Sequence, residues 1–311
     1  NRLATEPHAL AFAGQSTPWP VALADQTTDP SLDEALRGHV AAAGRLLTPV
    51  AADLLATTGR PVDLFGFAPN PARLGAAADA TASVEGVALT QLGALLDLEH
   101  LGYSVAQAKP LAVLGHSQGV LAVHMTRAIE AAGSIEAAGT TLDEILAVAA
   151  LIGAAGTRRV RELGLNPKYG EASPMLSVKG ATRAQVEALV ARVNNARGPI
   201  SIAVTNSDNH HVLSGYPEDL AAFALEAERE HQHQAKLREQ KLHGGTVFNP
   251  TLEYLEVTLP FHSPLMADAV EQTVAWAGAC GFDQKRTRAL AEEVLLNHVD
   301  WNARVKALFD D

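Results

Sequence analysis

Residues 111–125, LAVLGHSQGVLAVHM, constrain the fold more than any other stretch. A continuous apolar run leads into Gly115-His116-Ser117-Gln118-Gly119, and an apolar pattern with helical spacing resumes at once. Uninterrupted apolar strands belong to parallel sheets covered by helices. Small residues on both sides of Ser117 let the chain pass from strand to helix in one tight turn. A chain built round this unit is of the α/β class, with strand and helix alternating.

Neighbouring segments fit that class. PHALAFAG reads as a short buried strand ending at Gly14, followed by a polar loop. Residues 31–60 and 83–101 carry apolar spacings of three and four and read as helices. QGVLAVHMTRAIEAA reads as a helix that stops near Gly133. TTLDEILAVAALIGAAGTRRVREL reads as a long helix, with Thr141 at its N-cap and Glu144 three residues on.

From about residue 174 the pattern changes. MLSVKG, ISIAVTNS, HHVLSGY and LEYLEVTLP read as strands. TRAQVEALVARVNN, with Thr182 placed to cap it, and PEDLAAFALEAEREH, opened by Pro217, read as helices. The order βαββαβ is that of a ferredoxin-like unit. The domain reading is therefore a large lobe, 1–173 and 260–311, that resembles an α/β-hydrolase with a parallel sheet. A ferredoxin-like small lobe, 174–259, is inserted in it.

Composition excludes several partners. The formal charge is −11, from 24 basic and 35 acidic residues, and no basic cluster is interleaved with aromatics, so nucleic acid is not an expected partner. No apolar run approaches the ~20 residues of a membrane span, and no signal-peptide pattern opens the chain. Cys280 stands alone, which rules out an internal disulfide and fits a reducing, cytoplasmic setting. The first residue is Asn1, as expected of a piece of a longer polypeptide. His231, His233 and His243 lie in the polar stretch 229–245 and read as a solvated face before they read as metal ligands. No metal site is expected.

Gly-x-Ser-x-Gly between strand and helix favours a nucleophilic serine over an ordinary loop serine. The backbone N–H of Gln118, at a helix start, points where an oxyanion forms. Such a serine needs a base. Spacing alone does not choose among 12 histidines, but His262 stands out in LPFHSPLM, a proline-bounded turn directly after the inserted unit. His116 is placed to line the pocket, His124 reads as a packed helix residue, and His210 and His211 read as surface residues at a strand start.

FAGQS, GHSQG, SPMLSV, NSDNHHVLSG and LPFHSPLM, in that order, resemble the acyl-CoA:acyl-carrier-protein transacylases over roughly residues 8–302. The nearest resemblance is to the acetyltransferase domain of the large type I fatty acid synthases of bacteria and fungi. It implies a Ser117–His262 dyad working by ping-pong acyl transfer, with backbone N–H groups of Gln15 and Gln118 as the oxyanion hole. It implies that a backbone carbonyl near Asn297 orients the histidine, and that Asn206 borders the cleft. It further implies acetyl-CoA as donor, the phosphopantetheine thiol of an acyl carrier protein as acceptor, no resident cofactor, and companion domains of a multifunctional synthase. FAGQS departs from the family's usual Phe-Pro-Gly-Gln-Gly only in small residues.

Members that accept malonyl carry an arginine on the long helix after the serine, because an unpaired carboxylate is expensive to bury. Matching ALIG to the acetyltransferase pattern puts Ile152 at that place, and Gln118 in the turn points the same way. Arg158 and Arg159 are the challengers. They also read as a pair complementing the dipole of the helix C-terminus. The reading is acetyl transfer; the alternatives are malonyl or palmitoyl transfer within the family, or a serine thioesterase or esterase.

Overall fold

Strands β1 (Ala9–Phe12) and β2 (Ala112–Gly115) pair in parallel, from Ala9 opposite Ala112 to Phe12 opposite Gly115. They bring the two glycine-bearing turns that follow them to the same end of the sheet. The computed structural model describes residues 6–14, 18–67, 79–165, 172–193, 198–242 and 247–309. These residues divide into two units, Asn1–Gly164 with Ala267–Leu295, and Leu165–Met266 with Leu296–Asp311.

The first unit is mainly helical. Its central helix, Ala80–His100, buries fourteen residues and packs most heavily against the helix Ile135–Glu162. Asp79 caps the former by accepting from the Thr81 amide. The two helices approach closely at Gly153: a Cβ there would collide with the Ala80 carbonyl oxygen. Backbone atoms of a packed helix have no room to yield, so Gly153→Ala should cost about 2 kcal/mol in urea unfolding, despite alanine's better helix propensity.

Several boundaries differ from the sequence reading. The segment 31–60 is two helices, Pro30–Leu46 and Ala51–Thr58, joined through a 3-10 turn at Thr48–Val50. Pro49 explains the break, since it lacks an N–H and restricts the residue before it. The long helix begins at Ile135, with Ser134 rather than Thr141 as its cap, its hydroxyl accepting from the Ala137 amide. Contrary to the absence of a span-length segment in the reading, this helix is long and apolar enough to cross a membrane. In its most apolar window 61% is buried within the protein, as expected of a core helix. The β1 residues alternate between exposed and half-buried instead of being enclosed.

The second unit carries the βαββαβ pattern. Strands β3 (Met175–Lys179), β4 (Ser201–Ser207), β5 (His210–Ser214), β6 (Thr251–Tyr254) and β7 (Val299–Asp300) form one sheet in the order β6-β3-β5-β4-β7. The helices Arg183–Val193 and Pro217–Glu239 cover one face, over a core that includes Leu176, Val178, Val186, Leu189, Leu213 and Phe223. Thr182 and Gln185 satisfy one another's amides as a capping box.

Strand β7 lies outside that pattern. It pairs in parallel with β4, Val204 opposite Val299 and Thr205 opposite Asp300. This pairing, with Asn302 and Lys306 both donating to Asp208, ties residues 296–311 to the second unit. The division therefore falls at 164/165 and 266/267 with the C-terminal segment in the smaller unit, where the sequence reading had placed 260–311 in the larger one. Two residues of strand pairing carry too little periodic signal to be read from sequence.

Candidate functional site

Ser117 sits where β2 ends and a helical turn, Ser117–Gly119, runs into the helix Val120–Ala132. Its φ is 53°, in the left-handed region that a side chain rarely occupies. The glycines on either side make this conformation attainable. A Cβ on Gly115 would strike the Val120 amide, and one on Gly119 would strike the Phe12 carbonyl at the end of β1. The turn is closed by the Gly119 amide donating to the His116 carbonyl at 2.9 Å. Strained backbone at a strand-to-helix turn is the geometry that presents a nucleophile. Gln118 is fully buried in the first turn of the helix, where amide groups and dipole favour an anion.

His262 lies in the second unit, buried at 3% exposure, and also takes a left-handed φ, 56°. Its Nδ1 is 2.7 Å from the Asn297 carbonyl oxygen. A carbonyl only accepts, so Nδ1 carries the proton and the neutral ring has its lone pair on Nε2. This is the protonation pattern of a general base held by a third group. The group that holds this ring is a main-chain carbonyl.

Ile152 is completely buried in the helix Ile135–Glu162. The arginines further along that helix are engaged within the first unit. Arg158 pairs with Glu162 at 3.1 Å, Arg159 with Asp268 at 2.9 Å, and Arg161 donates to the Thr57 carbonyl. His116 is half-buried just before Ser117. Asn206 is half-buried near the end of β4, at the second irregularity of its pairing with β5, between Thr205 and Ser207. Gln15 lies outside the described residues, as does His243.

Other histidines find packing roles. His231 Nδ1 donates to the Phe248 carbonyl at 2.7 Å, tying a loop to the helix Pro217–Glu239. His124 reaches Glu293 at 3.4 Å. His211 is fully buried instead of lying at the surface, and burial holds its pKa below the usual imidazole value. His210 Nε2 lies 3.1 Å from Ser177 Oγ across the sheet.

Two features escaped the sequence reading. Glu85 is buried in the middle of the first unit, and desolvation pushes its pKa up to about 7. His298, next to Asn297, donates from Nδ1 to the Ile202 carbonyl at 2.8 Å. Neither has a local motif; both depend on what the fold brings beside them.

A strand, a glycine-flanked serine turn and a ferredoxin-like second unit define the fold class of the acyl-carrier-protein acyltransferases. An acyl carrier protein S-malonyltransferase from Vibrio cholerae is similar over 98% of this chain and 87% of its own, with TM-score 0.62 and 14% identity. The malonyl-CoA-acyl carrier protein transacylase from Coxiella burnetii is similar over 98% and 84%, with TM-score 0.61 and 16% identity. Within that class, residues 174–254 match the fatty acid synthase central AT domain. Fatty acid synthase 2 of Mycosarcoma maydis is 30% identical over 168 residues, 50% of this chain and 4% of its own length. The fatty acid synthase beta subunit TOXC of Cochliobolus carbonum is 29% identical over 163 residues, 48% of this chain and 8% of its own length. The chain is thus similar to fatty acid synthases over about half of its length, and it spans a small part of those relatives.

Proposed function

We propose that the chain moves an acetyl group from acetyl-CoA, through an acetyl-ester of Ser117, to the phosphopantetheine thiol of an acyl carrier protein. The observation that carries this reading is the left-handed Ser117 on its glycine-bounded turn. The kinship with fatty acid synthases supports carrier-protein acyl transfer as the chemistry.

In the first half-reaction Ser117 Oγ attacks the thioester carbonyl while His262 Nε2 takes its proton. The C–S bond breaks, and His262 returns the proton to the departing CoA thiolate. The tetrahedral oxyanion is held by the N–H groups of Gln118 and Gln15. In the second half-reaction His262 deprotonates the carrier thiol, which attacks the acetyl-ester; the ester C–O bond breaks, and His262 returns the proton to the departing Ser117 Oγ. No resident cofactor enters any step, and the working setting is the cytoplasm.

Acetyl is favoured over malonyl by Ile152. A buried aliphatic side chain offers a malonyl carboxylate no partner, and the ion pairs of Arg158 and Arg159 occupy the obvious alternatives. The test is acylation of Ser117 by labelled acetyl-CoA and malonyl-CoA, followed by chase with carrier protein. Acetyl preference and carrier-dependent release are expected, with Ile152→Arg shifting the preference toward malonyl by at least ~10-fold. Malonyl preference in the unaltered chain would refute the role of Ile152. Free acetate released as fast without carrier as with it would mark a hydrolase.

A further inference from the structure

Main-chain carbonyls orient a catalytic histidine only as well as their own segment is held. Asn297 lies in the last part of the second unit, exposed, two residues before the two-residue strand β7. Two ladder positions are a weak anchor for a carbonyl that fixes the tautomer and direction of His262.

The adjacent residue supplies a second anchor. His298 donates from Nδ1 to the Ile202 carbonyl on β4 at 2.8 Å, and its Nε2 lies 3.4 Å from Thr205 Oγ1 on the same strand. The ladder contacts Val204–Val299 and Thr205–Asp300 begin one residue further on. The side chain of His298 thus extends the pairing of β4 backward, past the end of β7, to the residue that bears the orienting carbonyl. Ile202 is at a bulge, where β4 shifts register against β5, and its carbonyl faces the β7 side of the sheet to meet this ring. The link runs by hydrogen bond from the Ile202 carbonyl to the His298 ring, along the main chain from His298 to Asn297, and by hydrogen bond from the Asn297 carbonyl to His262 Nδ1.

We propose that His298 is a positioning residue for acyl transfer: its clip to the Ile202 carbonyl holds the Asn297 carbonyl where it fixes the His262 ring. The proposal rests on His262 being the base. It assigns His298 no contact with substrate.

The experiment measures steady-state transfer to carrier protein by the full chain, together with the imidazole Nδ1–H signal of His262 by 1H–15N NMR. His298→Ala should lower kcat about 10-fold while KM for the acyl-CoA is unchanged, since orientation of the base changes and substrate binding does not. The His262 Nδ1–H signal should broaden or move as its acceptor loosens. His298→Asn places an amide N–H near the position of Nδ1 and should restore both. Should the alanine variant fail to fold, His298→Phe, which keeps a ring without the donor, replaces it. Wild-type kcat in the donor-less variant would overturn the proposal. So would a loss that asparagine does not rescue, or one with an unaltered His262 signal, because those mark a residue needed only for stability. Failure of the underlying reading looks different: the unaltered chain would then form no acyl-Ser117 at all, or His262→Ala would acylate normally.

Discussion

Ser117→Ala is expected to abolish the covalent acyl-enzyme and to lower transfer to carrier protein by at least ~10³-fold, with stability to urea unchanged within about 0.5 kcal/mol. Removing a nucleophile that works as a unit with its base eliminates nearly the whole contribution of both, so Ser117→Ala with His262→Ala should be little worse than either alone. Stability should hold because the turn is set by Gly115 and Gly119 and not by the hydroxyl. Alanine has a Cβ like serine and meets the same backbone constraint at φ 53°. Intact-mass analysis after incubation with acetyl-CoA checks the first statement, and urea unfolding the second. An acyl adduct persisting on the alanine variant would place the nucleophile elsewhere. By contrast Gly119→Ala, which drives a methyl into the Phe12 carbonyl, should lose stability and acylation together.

The second large effect concerns Glu85, and here it is stability that should rise. Burial raises its pKa from 4.5 to about 7, with desolvation as the cause. Between those two values the folded protein holds a proton that the unfolded chain has released. Stability therefore falls as pH increases from about 4.5 to 7 and stays low above that window. Glu85→Gln is neutral at every pH and close in shape. It should be more stable than the parent by about 3 kcal/mol at pH 8 and no more stable at pH 4. Urea midpoints of both proteins at those two pH values decide it. A difference that does not vary with pH would show that the carboxyl ionises when folded as readily as in the unfolded chain. Such a cost in the middle of the Ala80–His100 helix, whose other buried residues are mostly aliphatic, has no local compensation in the sequence.

Much of the architecture was legible from one sequence. Apolar LAVL before Gly115 announces a parallel strand, and Gly133 stops the following helix in a left-handed cap, as its lack of a Cβ predicts. Short apolar runs in MLSVKG and HHVLSGY gave β3 and β5, and the order βαββαβ gave the ferredoxin-like arrangement β6-β3-β5-β4. Boundaries set by a competing local interaction were missed. Thr141 has the right spacing to Glu144 for a cap, yet Ser134 begins the helix because alanine and glycine between them carry no strong stop. β7 was missed because two residues have no period.

Within the candidate site the same division holds. Ser117 and its glycines are a local matter, since sterics over five consecutive residues dictate the turn. His262 was distinguishable from eleven other histidines only by its proline-bounded setting and the resemblance that placed it. Its hydrogen bond to Asn297, 35 residues on, is a product of the folded second unit. So are the clip from His298 to Ile202, 96 residues apart, and the burial of Glu85. Sequence by itself determined the strand–serine–helix turn, the βαββαβ order and the chemical type of each candidate residue, because periodicity and backbone sterics act between near neighbours. Only tertiary structure decided which carbonyl holds His262, which arginines are already paired, and which carboxyl is stripped of water. Hydrogen bonds, ion pairs and burial depend on distance in space, and one chain's order does not encode that directly.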